Sequence, residues 1–449
     1  MSCISSEPFL KQNPIFFLNS HKASKSIIFL LALINFAFLS CSPTKRFTEN
    51  EDKTDKIEKG EESTKNIKEK ESETEFNFAE IRVSMQGLIP SESLLIESQA
   101  YLYDEESVLA LVNSGSTINC FDNAGKIQLD INEQRFDGQK FFLASAESEE
   151  IIKLNGKRYR GKIQISFSST SIDVINILNL EDYVKGVLAK EMPLGKNGEN
   201  FEALKALAIC VRTYAIQKIK DGKLYFDIYP DTRDQVYGGV DSESTNSNKA
   251  VDETNNLILK YEGNAATIFY HSTCGGYTES SVNVFTREEI PYLTSVKDGD
   301  EPNCKISPRF QWEEKYSREL IVSRLKNYSL LDNQNYSLED ISVISRFNSG
   351  RVDELEIDLV GDDEEETSVI IRGNEIRSII RNADGKSILW STMFDVSLNS
   401  NSVIILGKGF GHGVGLCQWG AIALSRKGWD FTEILYHYYP GTIAEKIND

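Results

Sequence analysis

Apolar and polar positions divide the chain into three unlike stretches. Residues 27–39 are apolar apart from Asn35, and Lys22 and Lys25 precede them. Residues 47–75 are Glu, Lys, Asp, Ser, Thr and Asn with almost no apolar side chain. After Phe76 short alternating runs begin, at 80–85, 161–166 and 172–177, separated by Gly, Asn and Ser clusters; this is strand periodicity. Two helical segments follow. The first, 180–192, stops at Pro193, which forces Met192 out of helical geometry. The second, 201–219, carries Ala203, Ala206, Leu207, Cys210 and Tyr214 as one apolar stripe. Strand-like runs return at 266–270, 355–359 and 402–406, and short helices are expected at 376–379 and 431–439. No internal repeat is present. The order predicts an α+β fold, mixed strands with a central helical segment, not a regular βαβ alternation.

The first two stretches set the compartment. An apolar run of this length behind lysines has the layout of a secretory signal and is short for a membrane span. It ends in Phe38-Leu39-Ser40-Cys41, which resembles a lipoprotein processing site with Cys41 as the acylated residue. An ordinary signal peptide or an uncleaved anchor are the alternatives, and all three export the chain. The polar stretch cannot bury enough surface to offset its ordering entropy, so it reads as a disordered tether. The expected division is a signal at 1–41, a charged linker at 42–76 and a folded body at 77–449. Within the body, 77–175 is β-rich and 176–449 holds the chemical motifs. The chain is expected at a membrane, anchored by lipid and facing periplasm or cell wall.

Composition narrows the chemistry. With 49 Lys and Arg against 68 Asp and Glu, the 449-residue chain has a formal charge of -19, which gives nucleic acid no electrostatic encouragement. Seven Cys without a C-x-x-C pair exclude zinc ribbons and thioredoxin-type motifs. Four His leave little for a histidine-built metal centre.

Three local patterns carry candidate chemistry. Glu191 lies on the last turn of its helix, at the negative end of the dipole, among Val187, Leu188 and Met192. Both effects favour the protonated carboxyl that a general acid requires. His271-Ser272-Thr273-Cys274-Gly275-Gly276 follows an apolar run and brings polar groups and a Gly pair to its end. Ser272 beside His271 is not a hydrolase nucleophile and base, because neighbours on a strand face opposite ways and no G-x-S-x-G elbow exists. Glycines at 407, 409, 411, 413 and 415 alternate and match no nucleotide-phosphate motif. Their spacing clears one face for a polymer, beside His412, Gln418 and Trp419; a tight turn around a buried His is the alternative. Cys274 and Cys304 form the expected disulfide, which would stabilise the fold by roughly 3 kcal/mol. A metal site of His271, Cys274 and Cys304 is its rival. Cys210 is expected in the core, and Cys120 and Cys417 have no assignment. The acidic run 362–366 lacks the ligand spacing of a calcium loop and reads as a hairpin turn.

The order of these motifs is more specific than any one of them. Glu181-Asp-Tyr-Val-Lys-Gly-Val-Leu-Ala-Lys-Glu-Met-Pro193 precedes Glu202-Ala-Leu-Lys-Ala-Leu-Ala-Ile-Cys-Val-Arg-Thr-Tyr-Ala215. His271-Ser-Thr-Cys-Gly-Gly276, Gly411-His-Gly-Val-Gly-Leu-Cys-Gln-Trp-Gly-Ala421 and His437-Tyr-Tyr-Pro-Gly-Thr442 follow. From about Ile81 to Thr442 the chain resembles the SpoIID/LytB family, the stage II sporulation protein D type of peptidoglycan lytic transglycosylase. The resemblance implies cleavage of MurNAc–GlcNAc bonds in peptide-stripped glycan strands, leaving 1,6-anhydro ends, with Glu191 as the catalytic acid and no cofactor. It implies a groove whose sugar contacts come from Arg212, Tyr214, His271, Ser272, Gly275, Gly276, His412, Gly413, Gln418 and Trp419. Glycan strands are the expected partner, with a cell-wall amidase as a further one. Some members of the family resemble amidase enhancers that bind glycan without cutting it, and this is the alternative function. Others resemble zinc proteins with His and Cys ligands after the Arg-Thr-Tyr helix; here 226–237 contains neither residue, so no metal is expected there.

Overall fold

The computed structural model describes residues 80–447 apart from 149, 169–170 and 224. The expected signal, linker and Cys41 lie outside the described residues. The architecture is α+β, as the alternating and helical runs predict.

The N-terminal strands form two larger antiparallel sheets and a two-stranded ladder of 151–154 with 157–160. A six-stranded sheet runs in the spatial order 80–84, 172–179, 162–167, 140–145, 100–103, 108–112, and a four-stranded sheet joins 93–95, 117–123, 126–131 and 134–138. Apolar side chains alternate inward; Ile127, Leu129 and Ile131 are buried on one strand while their neighbours are not. Strand Ile172–Asn179 feeds directly into helix α1, Leu180–Glu191. Asn179 turns the corner: its side chain accepts the Glu181 amide at 2.8 Å and caps the helix. Met192 ends it in extended geometry, with φ -135° and ψ 140°, as the following proline demands.

Helix α2, Phe201–Lys220, differs from its expected one-sided stripe. From Ala203 to Ile216 every residue but Lys205 is buried, including Leu204, Ala208, Ile209, Val211, Arg212 and Thr213. The reason is its central place. It packs against α1, against α3 (Thr245–Glu253), against strand Leu257–Tyr261, and against α6 and α7 near the C-terminus, residues 418–426 and 431–438. A helix surrounded on all sides needs apolar residues all round. Cys210 lies in this core, as expected, with its thiol 3.7 Å from the Tyr439 hydroxyl.

Residues 266–270, expected as a strand, pair in a ladder only at Tyr270–His271. Their backbone groups are met singly instead. The Tyr292 hydroxyl accepts the Thr267 amide at 2.8 Å, and Tyr439 donates to the Phe269 carbonyl at 2.7 Å.

A second apolar cluster gathers around residues 311–405. Strands 311–316, 403–408 and 394–398 form one three-stranded sheet, and 336–346, 352–361 and 366–372 form another. Helices α4 (Arg318–Asn327) and α5 (Glu375–Ile380) cover it, with Trp312, Leu325, Leu355, Ile357 and Ile405 at the centre. This body is inserted between the His271 motif and the glycine run. The acidic run 362–366 is the hairpin turn expected between two of its strands.

Candidate active site around Glu191

Glu191 has no solvent exposure. Helix α1 carries it inward on the same face as Val184, Val187 and Leu188, all buried. Its Oε1 accepts the Val236 amide at 2.8 Å, while Oε2 has no hydrogen-bond partner. Burial pushes its pKa up to about 8; the Val236 amide and the Gln418 side chain pull in the opposite direction and are outweighed. The carboxyl therefore holds its proton through neutrality, which shifts the expectation drawn from helix dipole and apolar neighbours further in the same direction. Gln418 Nε2 is itself buried without a hydrogen-bond partner. Two buried polar groups of complementary character, an acid and an amide, thus sit close together with hydrogen-bonding capacity to spare.

What encloses Glu191 is the segment 226–237, whose role the sequence did not reveal. Tyr214 on α2 donates its hydroxyl to Asp234 at 2.7 Å, and Asp234 also accepts the Tyr229 amide at 2.9 Å. Gln235 bridges two buried tyrosines, accepting from Tyr183 at 3.0 Å and donating to Tyr270 at 3.1 Å. Tyr237 stacks on Tyr183 with centroids 5.5 Å apart and donates to Asn176 at 2.8 Å. Gly186 on α1 is what admits that ring, since a Cβ there would collide with it. The segment is pinned at four successive residues, 234 to 237, and the last but one delivers its amide to the acid. In the sequence this stretch stands out only for its lack of Cys and His; the signal for its role is the Tyr-x-x-Gly spacing on α1 that receives Tyr237.

The fold brings the His271 motif and the glycine run together. Tyr270 and His271 pair in parallel with Leu416 and Cys417, Thr273 and Phe410 exchange amide–carbonyl bonds at 3.0 and 2.8 Å, and Glu279 donates its amide to Gly413 at 2.8 Å. The Trp419 amide donates to the Ser272 carbonyl at 3.0 Å. His412 accepts the Val414 amide on Nδ1 at 3.1 Å and so donates from Nε2 to the Tyr270 carbonyl at 3.0 Å. His271 donates from Nδ1 to the Val414 carbonyl at 3.1 Å, leaving Nε2 buried and unpartnered. Burial holds His271 well below its ordinary pKa and keeps it neutral. Both histidines tie the two motifs together.

Several expected sugar contacts have structural partners instead. Arg212, fully buried, makes a bidentate pair with Glu181 at 2.6 Å on both arms and donates to the Leu257 carbonyl at 2.8 Å. It joins α1, α2 and the strand beyond, and each of its three nitrogens has a partner. Tyr214 serves the segment over Glu191. Ser272 is 1% exposed and lies 3.3 Å from the Thr273 hydroxyl. The glycine run is not an open polymer track at Gly413, which has φ +90° and is packed against the Arg351 guanidinium; a Cβ would collide with it. At Gly415, φ +69°, the Phe269 carbonyl presses in the same way. The face cleared of side chains is filled by the protein itself. Gly275 and Gly276, also at positive φ, border a cavity of about 910 Å³ that the inserted body lines with Trp312, Met393, Phe394 and Lys408.

Cys274 and Cys304 are neighbours but are not joined: their sulfurs lie 3.4 Å apart, against about 2.05 Å in a disulfide. Cys417, unassigned from sequence, is the third member of their cluster, and Asp298 is the fourth. His271, expected in the rival metal site, is bonded to Val414 and lies outside that cluster.

Comparison with known proteins places relatives across this stretch of the chain. The family described as Stage II sporulation protein matches residues 168–261, which span α1, α2 and the segment over Glu191. A domain of unknown function (DUF8618) matches residues 300–415, the inserted body. An uncharacterized protein of Brachyspira hyodysenteriae is 34% identical over 345 residues, covering 76% of this chain and 85% of that protein. The amidase enhancer of Bacillus subtilis is 30% identical over 73% of this chain, a match that spans half of the enhancer's own length. Stage II sporulation protein D of Bacillus subtilis is 27% identical over 67% of this chain and 86% of its own. With α1, its buried acid and the motifs that enclose them in the matching stretch, the chain belongs to the stage II sporulation protein D (SpoIID) family.

Proposed function

We propose that the protein is a peptidoglycan lytic transglycosylase with Glu191 as its single acid–base group. The observation that carries this reading is a carboxyl buried completely yet left with one unpartnered oxygen, whose pKa near 8 keeps it protonated at neutral pH. Glu191 gives its proton to the glycosidic oxygen as the C1–O bond of MurNAc breaks. The resulting carboxylate takes the proton of the same sugar's C6 hydroxyl as O6 bonds to C1. Atoms and charge balance without a water, so one carboxyl suffices where hydrolases need two. Gln418, whose free Nε2 lies beside the acid, is suited to hold the sugar's acetamido or ring oxygen. The strand reaches Glu191 only when the segment 226–237 moves aside, and closure over it excludes water from the oxocarbenium-like centre.

Total enclosure of Glu191, together with the likeness to an amidase enhancer, favours a second reading. In it the buried acid is a relic of packing, the protein binds glycan, and a partner amidase does the cutting. Digestion of amidase-treated glycan strands, with mass analysis of the ends, separates the two. Anhydro ends support the enzyme; unchanged strands with an accelerated amidase support the enhancer.

We place the protein outside the cytoplasm, held by a lipid on Cys41 and spaced from the membrane by residues 42–76. Cys41→Ala should release it to the soluble exported fraction. Unaltered membrane partition of that variant would remove the lipid anchor.

A further inference from the structure

We propose that Cys274, Asp298, Cys304 and Cys417 form a closed structural zinc site, separate from the acid at Glu191. One ligand atom from each lies within 4.8 Å of the other three, and all four residues are buried. Three sulfurs and one carboxylate oxygen gathered this closely supply the four donors that a closed, tetrahedral zinc site takes, which would leave no position for water or substrate.

A disulfide explains the cluster less well. Three sulfurs share the site, so pairing two strands the third in an exported, oxidising setting. Nor does a disulfide account for Asp298. Its carboxylate is fully buried, with the Cys304 amide at 2.8 Å on one oxygen and the Tyr438 hydroxyl at 2.6 Å on the other. Neither donor carries a positive charge, and a divalent cation supplies what they lack.

The surroundings are those of a metal–thiolate site. Backbone amides point at the sulfurs: Gly276 to Cys274 at 3.4 Å, and Cys274 and Gly420 to Cys417 at 3.2 and 3.4 Å. Such donors spread the charge of coordinated thiolates, and the bond from Tyr438 orients the carboxylate. The guanidinium of Arg351, bound to the Cys274 carbonyl at 2.7 Å, offsets part of the remaining negative charge. Gly420 is needed at its position because a Cβ there would strike both Asp298 and Tyr438.

The ligands come from three separate loops: the Gly275–Gly276 turn, the stretch 298–306 and the start of α6. Binding would lock them together. Cys417 is the residue before Gln418, so the metal would also fix the base of the side chain that faces Glu191.

The test is metal and thiol analysis of the full chain, produced without chelators and quenched in acid at lysis to trap its redox state. The site predicts about one zinc per chain by mass spectrometry of the metal. The three thiols should resist alkylation until chelator and denaturant are added. Asp298→Asn should bind zinc at least 10-fold more weakly, and cobalt in the wild type should show tetrahedral bands with thiolate charge transfer. If that variant does not fold, titrating metal-stripped wild type with cobalt decides the same question. A disulfide among any two of the three cysteines, or three reactive thiols in metal-free protein, would overturn the proposal.

Discussion

The Val236 amide donates to Glu191 Oε1 at 2.8 Å, and Val236 is held there by Asp234, two residues earlier, through the Tyr214 hydroxyl. Two hydrogen bonds joined by the backbone of 234–236 thus link the middle of α2 to the buried acid at the end of α1. They give Tyr214 a positioning role and link the cover over Glu191 to the most enclosed helix of the fold.

Tyr214→Phe tests that link. The variant keeps the ring in the core but removes one of the donors to Asp234, which retains the Lys218 ammonium at 3.2 Å and the Tyr229 amide at 2.9 Å, a loss worth about 0.5–1.5 kcal/mol. The expected result is faster amide hydrogen exchange across 226–237 with α2 itself unchanged. A shift in the pH dependence of activity should accompany it, because Glu191 becomes better hydrated and its pKa falls. Equal exchange in both proteins would mean that the segment is held by other contacts.

Arg212, expected at the substrate, is engaged as a brace between Glu181 and the Leu257 carbonyl. Arg212→Ala leaves the Glu181 carboxylate, about one-seventh exposed, and the Leu257 carbonyl without their partner. Breaking such a pair costs about 3–5 kcal/mol. Arg212→Lys should recover only part of this, since an ammonium cannot reproduce the bidentate fork. Thermal unfolding of the three proteins measures it. A variant that retains full stability and loses only glycan affinity would return Arg212 to the groove.

How far the sequence foretold the site follows from these residues. Glu191 was legible because a proline, a helix end and apolar neighbours are all local in the chain. The His271 motif and the glycine run stood out as dense and unusual, but their pairing with each other is visible only in the fold. The partner of Arg212 was not legible either, since a buried arginine reads alike whether it faces a sugar or a carboxylate 31 residues away. Nor was the cover over Glu191: its hold depends on tyrosines from α1, α2 and a distant strand, none marked by periodicity. The alternating glycines suggested an open track, and only tertiary packing shows the Arg351 side chain occupying that space. Cys417 joined Cys274, 143 residues away, for the same reason, through the parallel pairing of 270–271 with 416–417.

The pKa of Glu191 has a consequence for stability. It is raised from an ordinary 4.5 to about 8, so between those pH values the folded protein binds a proton that the unfolded chain has lost. Burying the carboxyl carries no ionisation cost below about pH 4.5, and stability falls as pH rises from there towards 8. Glu191→Gln has no such proton to lose. Its melting temperature should match the wild type near pH 4.5 and exceed it increasingly up to pH 8, by an amount equivalent to up to a few kcal/mol. A constant difference across that range would show that the carboxyl ionises normally. Activity should likewise persist through neutrality and decline on the alkaline side, in place of the acid optimum expected of an ordinary glutamic acid.

The most direct measurement compares wild type with Glu191→Gln on amidase-stripped glycan strands, with mass analysis of the products and a pull-down on the same strands. The variant keeps the amide-accepting oxygen towards Val236 but cannot supply a proton. General acid–base loss costs roughly 10²–10⁴-fold, so the wild type should accumulate 1,6-anhydro ends while the variant binds equally and forms almost none. Full anhydro product from Glu191→Gln, or none from the wild type under the same conditions, would contradict the assignment of Glu191 as the catalytic acid.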